Sequence, residues 1–116
     1  MKTTYTVNRK GNIKTNLVSG NQCKDVGHTS YKYEAKVTVS DKLDKDGFVI
    51  DHSEIHNAVE HVFKNKMTSC EKLALSCAKR IIKMCKKHGC VVLDVYVKIM
   101  PVGKDVMAFM EVNIKK

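Results

Sequence analysis

From Tyr31 to Val39 the chain alternates strictly, with Tyr31, Tyr33, Ala35, Val37 and Val39 in one register and Lys32, Glu34, Lys36 and Thr38 in the other. Successive side chains of a strand point to opposite faces, so this pattern predicts a strand with one buried side and one wet side. That belongs to an antiparallel sheet covered on a single face. The pattern returns near the C-terminus, where Val91, Leu93, Val95, Val97 and Ile99 alternate with Val92, Asp94, Tyr96, Lys98 and Met100. After the turn Pro101-Val102-Gly103-Lys104-Asp105, it returns again as Val106, Ala108, Met110, Val112 and Ile114.

Between these strands the period changes to that of helices. Ile55, Val59, Val62 and Phe63 share a stripe behind a cap at Asp51 or Ser53, and Leu73, Cys77, Ile81 and Met84 share another behind Thr68 or Ser69. Lys86, Lys87, His88 and Gly89 supply the cations and the glycine that end a helix. Upstream, Thr4–Val7 and Ile13–Val18 read as two short strands around Arg9-Lys10-Gly11-Asn12, which has hairpin-turn composition. A polar loop spans residues 19–28, Asp41–Gly47 reads as a turn, and Phe48–Ile50 as a short strand. The order of strands, two helices and a closing hairpin, with no internal repeat or linker, predicts an α+β domain with both helices on one face of an antiparallel sheet.

At 116 residues the chain makes one domain, 1–116, of which residues 1–12 form an N-terminal strand or hairpin extension. A deep pocket in so small a domain calls for a second subunit. No stretch approaches the roughly 18 to 20 apolar residues of a membrane helix, and Met1-Lys2-Thr3-Thr4 lacks a signal-peptide run, so a cytoplasmic protein without a membrane partner is expected. The five cysteines, Cys23, Cys70, Cys77, Cys85 and Cys90, are odd in number and contain no Cys-x-x-Cys pair, which argues against a disulfide framework and a cysteine-rich zinc module. The net charge of +9 is carried by lysine, since Arg9 and Arg80 are the only arginines. Lysine attracts anions in general, whereas planar bidentate reading of bases favours arginine. With no basic cluster interleaved with aromatics, a nucleic-acid partner is not expected.

Three segments carry a resemblance to a known family. Gly47-Phe48-Val49-Ile50-Asp51-His52-Ser53-Glu54-Ile55 is similar to a Gly-x-Val-x-Asp-Phe-x-x-Leu start of a first helix. Thr68-Ser69-Cys70-Glu71-Lys72-Leu73-Ala74 is similar to Thr-Ser-Glu-x-Leu-Ala with one residue added. Cys23-Lys24-Asp25-Val26-Gly27-His28-Thr29-Ser30-Tyr31 stands where a cysteine, His-Gly-His and an aromatic strand start would be. Together, from about Ile13 to Ile114, they resemble the tunnelling-fold (T-fold) superfamily, in particular 6-pyruvoyl- and 6-carboxy-tetrahydropterin synthases. The resemblance implies that Glu71 accepts hydrogen bonds from a pterin or purine, flanked by Thr68 and Ser69. It also implies subunits that pair edge strands into a barrel, giving a tetramer or hexamer with pockets between subunits. A carboxylate at a helix N-terminus suits that role, because it offers two acceptor oxygens and the helix stabilises its charge. As a bare residue pattern, Glu71 equally suits a capping box with Thr68.

The resemblance also implies a zinc held by three histidines, and the sequence departs from it there. Ile13-Lys14-Thr15-Asn16-Leu17 contains no histidine and the second motif keeps only His28, whereas catalytic zinc needs three protein ligands and an open position. No zinc or other cofactor is expected. The short junction Phe63–Met67 is closer to that of dihydroneopterin aldolase, another T-fold enzyme, but Met100 stands where its lysine precedes a proline. Lys98, two positions earlier on the same strand face as Met100, could substitute only if its longer reach compensates. His52, His56 and Glu60 at four-residue spacing suit either a metal or a solvated face, and His61 and His88 read as surface or capping residues. Cys23 would need Lys24 or His28 beside it to become a thiolate.

The resemblance, with its zinc ligands missing, implies a binder of a purine- or pterin-type ligand that sequesters or senses it through Glu71, Thr68 and Ser69, and the lysines suit a phosphorylated nucleotide. A synthase- or aldolase-like lyase using Cys23, His28 or Lys98 is the alternative. A nucleic-acid-associated or structural protein reusing the fold is the third reading.

Overall fold

The computed structural model describes residues 3–14, 30–40, 50–64, 70–102 and 110–115. The elements run β1 (Thr4–Lys14), β2 (Ser30–Ser40), α1 (His52–Lys64), α2 (Cys70–Lys87), β3 (Val92–Pro101) and β4 (Met110–Lys115). The strands form one antiparallel sheet in the order β1-β2-β3-β4. Both helices pack on one face of it, α1 against β1 and α2 against β3 and β4.

The alternation in β2 has the predicted consequence. Tyr31, Tyr33, Ala35, Val37 and Val39 are all buried and form the floor of the core. Ile55, Val59, Val62 and Phe63 of α1 and Leu73, Cys77 and Ile81 of α2 close it from above, joined by Ala58, Ala74, Ala78 and Cys85. Each fully buried Ile, Leu or Val contributes roughly 1.5–3 kcal/mol relative to exposure.

Two details of the strands correct the sequence reading. The expected hairpin turn at Arg9–Asn12 does not form, because these residues lie inside β1, which pairs with β2 without interruption from Thr4↔Ser40 to Lys14↔Ser30. Gly11 faces Tyr33 in this register, and a Cβ at Gly11 would stand 2.8 Å from Cε1 of Tyr33. The glycine therefore serves a close approach of an aromatic ring rather than a turn. In β3 the register shifts between Thr38 and Val39, so that Thr38 pairs with Asp94 but Val39 with Val92. This bulge makes Leu93 the extra residue and turns Val92 inward at 4% exposure, while Val91 is left 51% exposed. Of the strand expected at Phe48–Ile50, only Ile50 lies among the described residues; it is buried and outside any strand.

The helix ends follow local chemistry. Asp51 is the cap of α1: its Oδ1 accepts the Ser53 N–H at 2.9 Å and its carbonyl accepts the Glu54 N–H at 3.0 Å. The Ser53 backbone hydrogen bond holds the Asp51 carboxyl below its ordinary range. At the end of α2, Gly89 N–H bonds Lys86 O at 3.0 Å and Cys90 N–H bonds Cys85 O at 2.9 Å, which is a Schellman closure. Gly89 has φ of +79°, and nothing lies within 4 Å of where its Cβ would be. Gly89→Ala is therefore expected to cost only the left-handed backbone term, about 1–2 kcal/mol, read as a lower urea midpoint. An unchanged midpoint would refute this account of the helix end.

Candidate functional site

Glu71 is the second residue of α2, so the position singled out in the sequence falls in the first helical turn. Backbone N–H groups without intrahelical partners gather there, and the helix dipole favours negative charge. The turn is firmly seated, since Leu73 and Ala74, which follow directly, are both 0% exposed. Thr68, Ser69, Cys23 and His28 lie outside the described residues, as do Val106 and Ala108.

Lys98 lies on the sheet face opposite the helices. Its register neighbours are Glu34 on β2 and Glu111 on β4. Glu34 also accepts from Asn8 Nδ2 at 3.2 Å and faces Lys10 Nζ at 3.8 Å. Lys98 and Glu34, with Lys10, Asn12, Lys32 and Met100, line an open pocket of about 390 Å³. Cross-strand carboxylates on both sides suit a lysine that stabilises the sheet, whereas a catalytic lysine is made by burial or a neighbouring cation.

A polar cluster that the sequence reading missed joins β1, β2 and α1. Arg9 Nη1 donates to His52 Nδ1 at 2.7 Å, and Tyr33 OH meets His56 Nδ1 at 2.5 Å. His56 Nε2 in turn stands 3.7 Å from Glu60 Oε1. Burial raises the Tyr33 phenol above its ordinary range, with Arg9 opposing the shift. His52 and His56 thus spend their Nδ1 atoms on the sheet, and their helical spacing serves to tie α1 to β1 and β2. Among the described residues no three His, Cys, Asp or Glu side chains converge as metal ligands would. Arg9 was legible only by extending the alternation Tyr5, Val7, Arg9, Gly11, Ile13 through the glycine. Among the described residues, Arg9 Nε and the Tyr31 hydroxyl are buried without a partner. Of the remaining histidines, His88 pairs with Glu54 at 3.0 Å and both it and His61 are exposed.

No protein-family model and no curated protein sequence matches the chain. Solved structures do. 6-Pyruvoyl tetrahydropterin synthase of Caenorhabditis elegans superposes with a TM-score of 0.51 at 13% identity, over 100% of this chain and 96% of that one. The archaeosine synthase QueF-Like, in its apo form, gives 0.53 at 16% identity over 95% and 91%. 6-Pyruvoyl tetrahydropterin synthase of Plasmodium vivax gives 0.51 at 13% identity over 95% and 99%. A four-stranded antiparallel sheet with two helices on one face, matched over nearly the whole length of these proteins, defines an α+β protein of the T-fold. The solved structures that share it include both 6-pyruvoyl tetrahydropterin synthases and the archaeosine synthase QueF-Like.

Proposed function

We propose that this T-fold protein binds a purine- or pterin-type ligand, in its phosphorylated nucleotide form, with Glu71 as the anchor. The observation that carries the reading is the place of Glu71 in the first turn of a well-seated α2 on a T-fold scaffold. A carboxylate there accepts two parallel N–H bonds from a guanidine-like ring edge, and the helix N-terminus favours its charge. Binding in this reading needs no zinc, and the role is to sequester or sense the ligand in the cytoplasm. The carboxylates on either side of Lys98 weigh against the lyase alternative.

The pockets would lie between subunits. β1 and β4 are the outer strands of the sheet, and outer strands carry backbone groups that a neighbouring copy can pair. A tetramer or hexamer is the expected assembly, and a strictly monomeric mass in light scattering at micromolar concentration would contradict it.

Calorimetry with guanine, pterin, and linear and cyclic guanine nucleotides tests the anchor. Two charge-assisted hydrogen bonds at about 1.5 kcal/mol each predict that Glu71→Gln weakens binding roughly 100-fold. Equal binding by wild type and variant would remove Glu71 from the site.

A further inference from the structure

The solvent side of α2 carries a feature that the ligand reading does not use. This helix holds six of the chain's 21 basic residues, Lys72, Lys79, Arg80, Lys83, Lys86 and Lys87, and one of its 12 acidic ones, Glu71. At 100° per residue the five cations from Lys79 to Lys87 fall within an arc of about 120° and span about 12 Å of helix axis. No carboxylate of α2 shares that arc. Lys79, Lys83, Lys86 and Lys87 are exposed and Arg80 is half-buried. Arg80, Lys83 and Lys87 also wall a groove of about 630 Å³ between α1 and α2. The carboxylate facing them across it, Glu54, is engaged by His88 at 3.0 Å.

We propose that this stripe is a docking surface for the phosphate backbone of duplex nucleic acid, independent of base sequence. A duplex carries about one phosphate charge per 1.7 Å of its axis, so five cations along about 12 Å can neutralise about three or four phosphates of the two strands that border a groove. Point-charge lysines suffice for such contacts, and neither arginine forks nor aromatic platforms are needed. This departs from the sequence-based expectation of no nucleic-acid partner, which rested on the lack of a basic cluster interleaved with aromatics.

Other occupants fit less well. A membrane-surface helix inserts an apolar face, and the apolar face of α2 is spent on the core, with Leu73, Cys77 and Ile81 at 0% exposure. An acidic protein would need buried anchors at its centre. Among the described residues only Leu75, at 38% exposure, is a large exposed apolar side chain of this helix.

The test is fluorescence anisotropy with a labelled DNA duplex of about 24 base pairs, titrated with the protein from roughly 50 to 200 mM salt. Wild type is expected to give a log–log salt slope of about −3 to −4, one unit or slightly less per neutralised phosphate. The triple change Lys79→Gln, Lys83→Gln, Lys86→Gln should flatten it by about 2 to 3. The triple change Lys14→Gln, Lys36→Gln, Lys115→Gln, which removes the same charge from the opposite sheet face, should leave it unaltered, as should Glu71→Gln. Should the first triple fail to fold by circular dichroism, Lys83→Gln alone carries the test through a slope change of about 1. Equal loss in both triples, equal competition by polyglutamate of matched charge, or binding only to phosphatidylserine vesicles would overturn the proposal.

Discussion

Alkaline solution is expected to strip this domain of most of its stability. Burial pushes the thiols of Cys77 and Cys85 from 9.0 up to about 12, and both side chains are fully enclosed. A shift of that size corresponds to roughly 4 kcal/mol for Cys77 and to less for Cys85, where Cys90 and Glu54 also contribute, against a total stability of about 5–15 kcal/mol for a domain of this kind. The direction follows from proton binding. Above the ordinary thiol range the unfolded chain releases protons that the native core still holds, so stability is complete below pH 9.0 and falls until about pH 12. The raised Tyr31 and Tyr33 phenols, also buried, push the same way. Urea titrations at several pH values across this window should show a falling midpoint. The double change Cys77→Ala, Cys85→Ala should remove most of the slope even though it lowers the starting stability. A slope that survives in the double variant would assign the alkaline loss to lysines or tyrosines instead. The same burial makes both thiols poor nucleophiles in the native state.

What the sequence made legible is what repeats locally. The alternation of Tyr31–Val39 named the floor of the core, and the three- and four-residue steps of Ile55–Phe63 and Leu73–Ile81 named the helix faces that cover it. Both are periodic patterns whose physical cause lies within one element. The failures are places where a distant contact decides. Arg9-Lys10-Gly11-Asn12 has turn composition, and only the Tyr33 ring on the neighbouring strand explains a glycine inside β1. The bulge beside Val92 arises from pairing with β2, so the alternation of β3 by itself puts Val91 on the wrong side. His52 and His56 look like a helical pair, yet their partners are 43 and 23 residues away. The first-turn position of Glu71 was legible because caps and acidic first turns are local chemistry. Its proposed company comes from separate segments that no single pattern joins.

The contact between Tyr33 and Gly11 gives the second large effect. Tyr33 is 2% exposed, its ring lies over Gly11, and its hydroxyl holds His56 at 2.5 Å. Tyr33→Ala removes the ring from the core and is expected to cost about 3–5 kcal/mol. Tyr33→Phe keeps the ring but removes the hydroxyl partner of His56 Nδ1, at a cost of about 1–3 kcal/mol. Gly11→Ala forces the ring away, because a Cβ would stand 2.8 Å from Cε1 and 2.9 Å from the hydroxyl oxygen. In the wild type that change should destabilise by about 1–3 kcal/mol. In the Tyr33→Ala background the obstacle is gone, and alanine is better than glycine within a strand by about 0.5–1 kcal/mol. The sign of Gly11→Ala should therefore reverse between the two backgrounds. Urea unfolding of the four proteins of this double-mutant cycle measures it directly. The same destabilisation in both backgrounds would mean that Gly11 is required by the conformation of β1 itself rather than by the ring that rests on it.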